Sequence, residues 1–297
     1  MTRTHPPVIF TDDGWILGAS EPPLSMEQLR QKMVVPYQGT GAALWWSVGD
    51  HEVYQYETVV GEIMGDGFSV EDLPETLRRI SENTRHLISE YGGPLTALVE
   101  LSRDADLEFF SRVRMNSHYR TDPESPMYGR FRRDNPSLLI GSGENYPKGS
   151  MEWAVRTGLD FTHFEVRQYM ANIILEQFER FEVDGVEMDF MRHPMFFRPH
   201  EAFSKQYLMT DLVRFVRQKM KETESSTGRQ IKLAVRVPPT LINAKLVGLD
   251  VSSWISEGLV DIVVVGLGTT PFETNIEEFV RAAEGTNVLV YGCVEAS

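Results

Sequence analysis

Val183-Asp184-Gly185-Val186-Glu187-Met188-Asp189-Phe190-Met191-Arg192-His193-Pro194 is the stretch whose reading decides the fold. Val186, Met188 and Phe190 share one parity and Glu187 and Asp189 the other, and a strand sends alternate residues to opposite faces. Both acids therefore point the same way from a segment otherwise suited to burial. Burying an unpaired carboxylate costs several kcal/mol, so two acids at i and i+2 persist mainly where they are paired, bind something or do chemistry. Arg192 and His193 follow at once. The competing structural reading makes each acid an arginine's partner or a cap for the next helix. If the strand is parallel and covered by helices, acids near its C-terminal end face the catalytic side of a (β/α)8 barrel.

Outward from this stretch, short apolar runs alternate with helical patterns. Val8-Ile9-Phe10 reads as a first strand opening into Thr11-Asp12-Asp13-Gly14-Trp15, and Ala42 to Val48, containing Trp45 and Trp46, reads as a second. Ser69 is placed to cap a helix that Gly92-Gly93-Pro94 stops. Leu107 to Asn116 forms a third strand, with Arg112, Arg114 and Asn116 on one face. Thr162-His163-Phe164-Glu165 has the form of a capping box, opening the helix that feeds the Glu187 strand. Ile231–Val237, Asp261–Val265 and Asn287–Tyr291 supply three more strands, and Arg236 lies at the end of the first of these.

Strands rich in Val, Ile and Leu alternating with helices specify a parallel α/β sheet. The expected fold is a TIM-type (β/α)8 barrel forming one domain over residues 1–297. Seven strands are found where closure wants eight, so either one strand escapes the pattern, the barrel is incomplete at its C-terminus, or the sequence is part of a longer chain, with an open doubly wound sheet as the structural alternative. Residues 117–159 lack periodicity and hold several prolines, as expected of a long loop insertion over the catalytic face. Its aromatics are suited either to stacking on sugar rings or to forming the loop's own small core.

The formal net charge of −14 argues against nucleic acid or an anionic membrane as the main partner. One cysteine, Cys293, excludes an intrachain disulfide and any Cys-built metal site. The N-terminus lacks a signal-peptide apolar run, and a cytoplasmic protein is the expectation. No cofactor is implied, no metal site is indicated, and oligomeric state is left open.

VDGVEMDFMRHP, followed by LAVRVPPT and GLDVSSWISEGLVDIVVV, resembles bacterial glycoside-hydrolase-like barrel proteins from the VIFTDDG start to the seventh strand. Its D-G-x-E-x-D core is more distantly similar to the D-G-x-x-x-D strand of the α-amylase family. The resemblance implies a barrel and a carbohydrate substrate. Glycosidic hydrolysis uses one carboxyl group as proton donor and a second as nucleophile or base. Two acids on one strand lie too close to flank a bond from opposite sides, so the partner of Asp189 or Glu187 is sought on another strand. Glu295 is that candidate, and the resemblance lends it the role of the residue at a seventh strand's end. Asp12 and Asp13 stand in reserve. Asp189 is favoured in direct catalysis, with Glu187 held by Arg114 or Arg236. Asp12, Asp13, Trp46, Arg112, Arg114, Asn116, His118, Arg192, His193 and Arg236 are the substrate-binding candidates. Arginine forks grip carboxylates and sulfates well, so a uronic or sulfated glycan is one expectation, with neutralisation of the acids as the other reading.

Phe10-Thr11-Asp12-Asp13-Gly14 is similar to the T-F-D-D-G signature of polysaccharide deacetylases with its first two residues exchanged. That family's pair of histidines at four-residue spacing is missing from the sequence. A polysaccharide lyase using His118, Tyr119 or His193 as base is a second enzymatic rival. A carbohydrate-binding barrel without turnover is the non-enzymatic one.

Overall fold

The computed structural model describes residues 5–50, 52–118, 121–191, 194–266 and 276–294. In chain order its strands are β1 (Ile9–Asp12), β2 (Ala43–Ser47), β3 (Gly49–Asp50), β4 (Val53–Tyr54), β5 (Glu62–Ile63), β6 (Glu108–Arg114), β7 (Gly185–Asp189), β8 (Lys232–Val237), β9 (Ile262–Val265) and β10 (Leu289–Gly292). Seven of them form one parallel sheet in the order β1-β2-β6-β7-β8-β9-β10. Strand order follows chain order, as right-handed strand–helix–strand crossovers dictate.

The sheet is covered on one side by helices and curls around a smaller cluster on the other. Leu44, Trp46, Phe109, Val186, Met188 and Val235 belong to the large helix-side core. Ala43, Trp45, Phe110, Ala234, Ile262 and Val264 form the inner cluster, joined by Ile9 of β1 and by Leu289 and Tyr291 of β10. The first and last strands thus contribute to one lumen, and the Tyr291 hydroxyl donates to the Pro6 carbonyl at 2.8 Å. Among the described residues no ladder joins β1 to β10, so the barrel is incomplete, as the seven-strand reading expects. Gly185 shows why the wall can be drawn in. A Cβ there would meet Phe110 Cε1 at 2.2 Å and the Lys232 carbonyl oxygen at 2.6 Å.

Two local expectations fail. Ser69 caps nothing; a 3-10 turn, Val70–Asp72, precedes a helix at Glu75–Tyr91 that starts behind Pro74. The Thr162 capping box does not form, because His163 holds the N-cap position of helix Phe164–Glu179. The Thr162 amide instead donates to Asp160 Oδ1 at 2.9 Å. A three-stranded sheet, β3-β4-β5, was not anticipated.

The stretch from 117 to 159 holds two short helices, Arg130–Asp134 and Met151–Val155. Phe131 stacks on Tyr169 at 3.9 Å and 5°, and the Arg156 guanidinium lies 3.8 Å from the Trp153 ring. These aromatics serve packing within the chain. No helix among the described residues is long and apolar enough to cross a membrane.

Candidate functional site

Ladder register brings the polar residues of the lumen together. Ser47 pairs with Arg112, Arg112 with Glu187, Arg114 with Asp189 and Asp189 with Arg236. Glu187 and Asp189 therefore do look inward, and both are fully buried. Arg112 is their common partner. Its Nε donates to Glu187 Oε2 and its Nη2 to Asp189 Oδ2 at 2.8 Å, while Nη1 reaches Asp13 Oδ1 at 3.3 Å. Arg114 spans Asp13 Oδ1 at 3.0 Å and Asp50 Oδ2 at 2.8 Å. Arg236 approaches Asp189 Oδ2 at 3.8 Å.

This geometry revises several expectations. Glu187 is held by Arg112, its direct ladder neighbour, and not by Arg114 or Arg236. Asp189 is also a held residue. Its Oδ1 accepts the Met191 amide at 3.0 Å and its Oδ2 the Arg112 fork, which leaves it poorly placed to touch a substrate. Trp46 is turned into the helix-side core, and its neighbour Trp45 faces the lumen. Asn116 is a structural tie: its Nδ2 donates to the Leu159 and Met195 carbonyls at 2.9 and 2.6 Å, and its Oδ1 accepts the Leu159 and Ser117 amides. His118 is half-buried, and its carbonyl accepts the Thr157 hydroxyl at 2.8 Å. Arg192, His193 and Glu295 lie outside the described residues.

A cavity of about 690 Å³ runs along β1 from Pro7 to Asp13 and along the end of β10. Asp12, Asp13, Trp45, Arg112, Arg236 and Tyr291 border it. Of its charged groups the two aspartates are the reachable ones. Asp13 keeps 35% of its side chain exposed, against 2% for Arg112. Gly14 shapes this rim. Its amide donates to Asp12 Oδ1 at 2.7 Å, and its φ of +82° is one that L side chains resist.

The protonation states divide. Burial pushes Asp12 up from the usual carboxylate range; the Gly14 amide opposes this and the charge of Asp13 adds to it. Burial also raises Glu187, against the pull of Arg112, with Asp189 adding to the rise. Burial disfavours the charge on Arg112, but Glu187, Asp189 and Asp13 more than offset that and raise its pKa. One Glu187 oxygen, Oε1, is buried without a hydrogen-bond partner among the described residues, as a neutral carboxyl tolerates better than a charged one. Among the described residues no group of three or more His, Cys, Asp or Glu is arranged to hold a metal ion.

The fold is a TIM-type barrel left incomplete among the described residues, and solved structures share it. Chitinase ChiW from Paenibacillus sp. str. FPU-7 is similar in structure, with a TM-score of 0.51 and 10% identity, over 95% of this chain and 29% of that one. So is a cycloisomaltooligosaccharide glucanotransferase from Paenibacillus sp., solved with cycloisomaltoheptaose, with a TM-score of 0.53 and 8% identity, over 96% of this chain and 38% of that one. A glycoside hydrolase family 18 N-acetylglucosaminidase from Paenibacillus barengoltzii aligns at a TM-score of 0.46 and 14% identity, over 96% of this chain and 67% of its own. The chain thus spans about a third of the length of the first two. Protein-family models and curated protein sequences gave no match. At these identities the likeness is one of fold.

Proposed function

We propose that the chain is a glycosidase-type enzyme acting on a glycan ring held in the cavity beside β1. The observation that supports this best is the pairing of Asp12 and Asp13 on the cavity wall in unlike environments. Asp12 is drawn toward its protonated form, whereas Asp13 faces the guanidiniums of Arg112 and Arg114, surroundings that favour a carboxylate. Glycosidic cleavage needs such a pair, one carboxyl to protonate the leaving oxygen and one to remain ionised against developing positive charge. Asp12 takes the first role; Asp13, adjacent in sequence and so unable to flank the bond from its far side, serves as the ionised group that stabilises developing positive charge from the same side, with Glu187 and Asp189 behind it as ballast for Arg112.

The forks of Arg112 and Arg114 grip the chain's own carboxylates, and the substrate proposed is therefore neutral. Asp12→Asn is expected to abolish release of reducing ends from chito- and isomalto-oligosaccharides, while oligogalacturonate serves as the anionic comparison. Full activity in that variant would remove Asp12 from the mechanism. The burial of Glu187 and Asp189 in ion pairs favours a second reading, a carbohydrate-binding barrel without turnover. Calorimetric binding of these oligosaccharides with no product would decide for it.

A further inference from the structure

The insertion after β6 is tied to the candidate site by a chain of ion pairs that passes through the β3–β4 hairpin. Arg132, on the helix Arg130–Asp134, is wholly buried, and its Nη2 donates to Glu52 Oε1 at 2.9 Å. Its Nε and Nη1 have no hydrogen-bond partner among the described residues. Buried ion pairs are weak contributors to stability and are commonly replaceable by apolar residues, so stability alone does not account for this one, whose geometry fixes one segment against another.

Glu52 precedes Val53, which pairs with Asp50 across the hairpin, and its φ of +62° is a left-handed conformation found in tight turns. Gly49 opens the hairpin at a point where a Cβ would meet the Val53 carbonyl oxygen at 2.4 Å. The turn therefore has little freedom, and Asp50 on its near side holds Arg114, which holds Asp13. On the far side Phe131 stacks on Tyr169 and fixes the helix that carries Arg132.

We infer that Arg132 and Glu52 are positioning residues of the site: by fixing the β3–β4 turn they set Asp50, through it Arg114, and so the guanidinium that faces Asp13. This rests on the proposed role of Asp13 for its catalytic consequence, but not for its geometry. Among the described residues, the charged groups facing Asp13 are Arg112 and Arg114 directly and Asp12 beside it, with Glu187, Asp189 and Asp50 behind the two arginines.

The test is the titration of the Asp13 carboxyl in the ligand-free full chain, followed by 13C NMR and assigned with Asp13→Asn. The double variant Glu52→Gln/Arg132→Met removes the buried pair as a unit. Asp13 is expected to titrate higher by roughly half a pH unit or more, as Arg114 loses its fixed place. On any oligosaccharide the wild type cleaves, kcat should fall roughly tenfold with KM within about twofold, the pattern of misplacement without lost binding. If the double variant does not fold, Phe131→Leu leaves every charge in place and loosens only the stacked helix, and a smaller shift in the same direction is expected. An Asp13 titration unmoved in the folded variant overturns the inference whether or not the protein cleaves sugars. A moved titration in a protein without turnover leaves the positioning intact and sinks the glycosidase reading.

Discussion

Replacing Arg112 with methionine removes one guanidinium from three carboxylates, two of which are fully buried. Breaking a buried ion pair by deleting one partner costs about 3–5 kcal/mol, because the other charge is left uncompensated. At about 2–4 °C per kcal/mol for a large domain, Tm should fall by roughly 10 °C or more. The deficit should also depend on pH. In the intact protein burial already raises Glu187 above its unfolded value, so the stability its neutral form contributes is complete below the ordinary carboxylate range. That contribution is lost as pH rises through the folded value. Removing Arg112, which lowers the Glu187 pKa, lifts the folded value further, so the variant should lose more ground between about pH 5 and about pH 8 than the wild type. Adding Glu187→Gln should recover part of the loss at the higher pH. Thermal denaturation of the three proteins at both pH values is the assay. A fall in Tm under about 2 °C, or a deficit equal at the two pH values, would refute the idea that Arg112 offsets buried charge.

Two further substitutions probe the rim and the insertion. Gly14→Ala places a Cβ 1.8 Å from Gln55 Nε2 and 2.6 Å from the Ser47 carbonyl oxygen at a φ of +82°. It should cost about 2 kcal/mol or more in urea denaturation and weaken any oligosaccharide binding measured by calorimetry, since the turn carrying Asp12 and Asp13 must move. Asn116→Ala removes hydrogen bonds to Leu159, Met195 and Ser117, leaving buried backbone groups unmatched at about 1–3 kcal/mol. Limited proteolysis should then cut first between 117 and 159, and protection equal to wild type would refute the tie.

The sheet was legible because buried parallel strands read as short apolar runs, plainest in β8 and β9, and each of the seven segments read as strands became one. Parity likewise put Glu187, Asp189, Arg112 and Arg114 on the lumen side. Parity could not say which arginine meets which acid. That follows from ladder register, which pairs Arg112 with Glu187 across strands distant in sequence. Nor could it separate Trp45 from Trp46, adjacent indoles in a strand buried on both faces. The β3–β4 hairpin escaped notice because its strands are two residues each, too short for any period to show. Thr162 looked like a cap because the local motif was present. Asp160 and Lys205, brought in by the fold, take its amide and hydroxyl instead.

The three-way fork of Arg112 has an evolutionary corollary. Asp13 also meets Arg114 and Asp189 also meets Arg236, whereas the ion pair of Glu187 is with Arg112, so positions 112 and 187 are the two that cannot drift singly without stranding charge. Across related sequences these two should covary most tightly, both kept or both exchanged for neutral residues, with 13 and 189 following more loosely. Intermediate combinations should be scarce even where the neighbouring lumen residues vary widely.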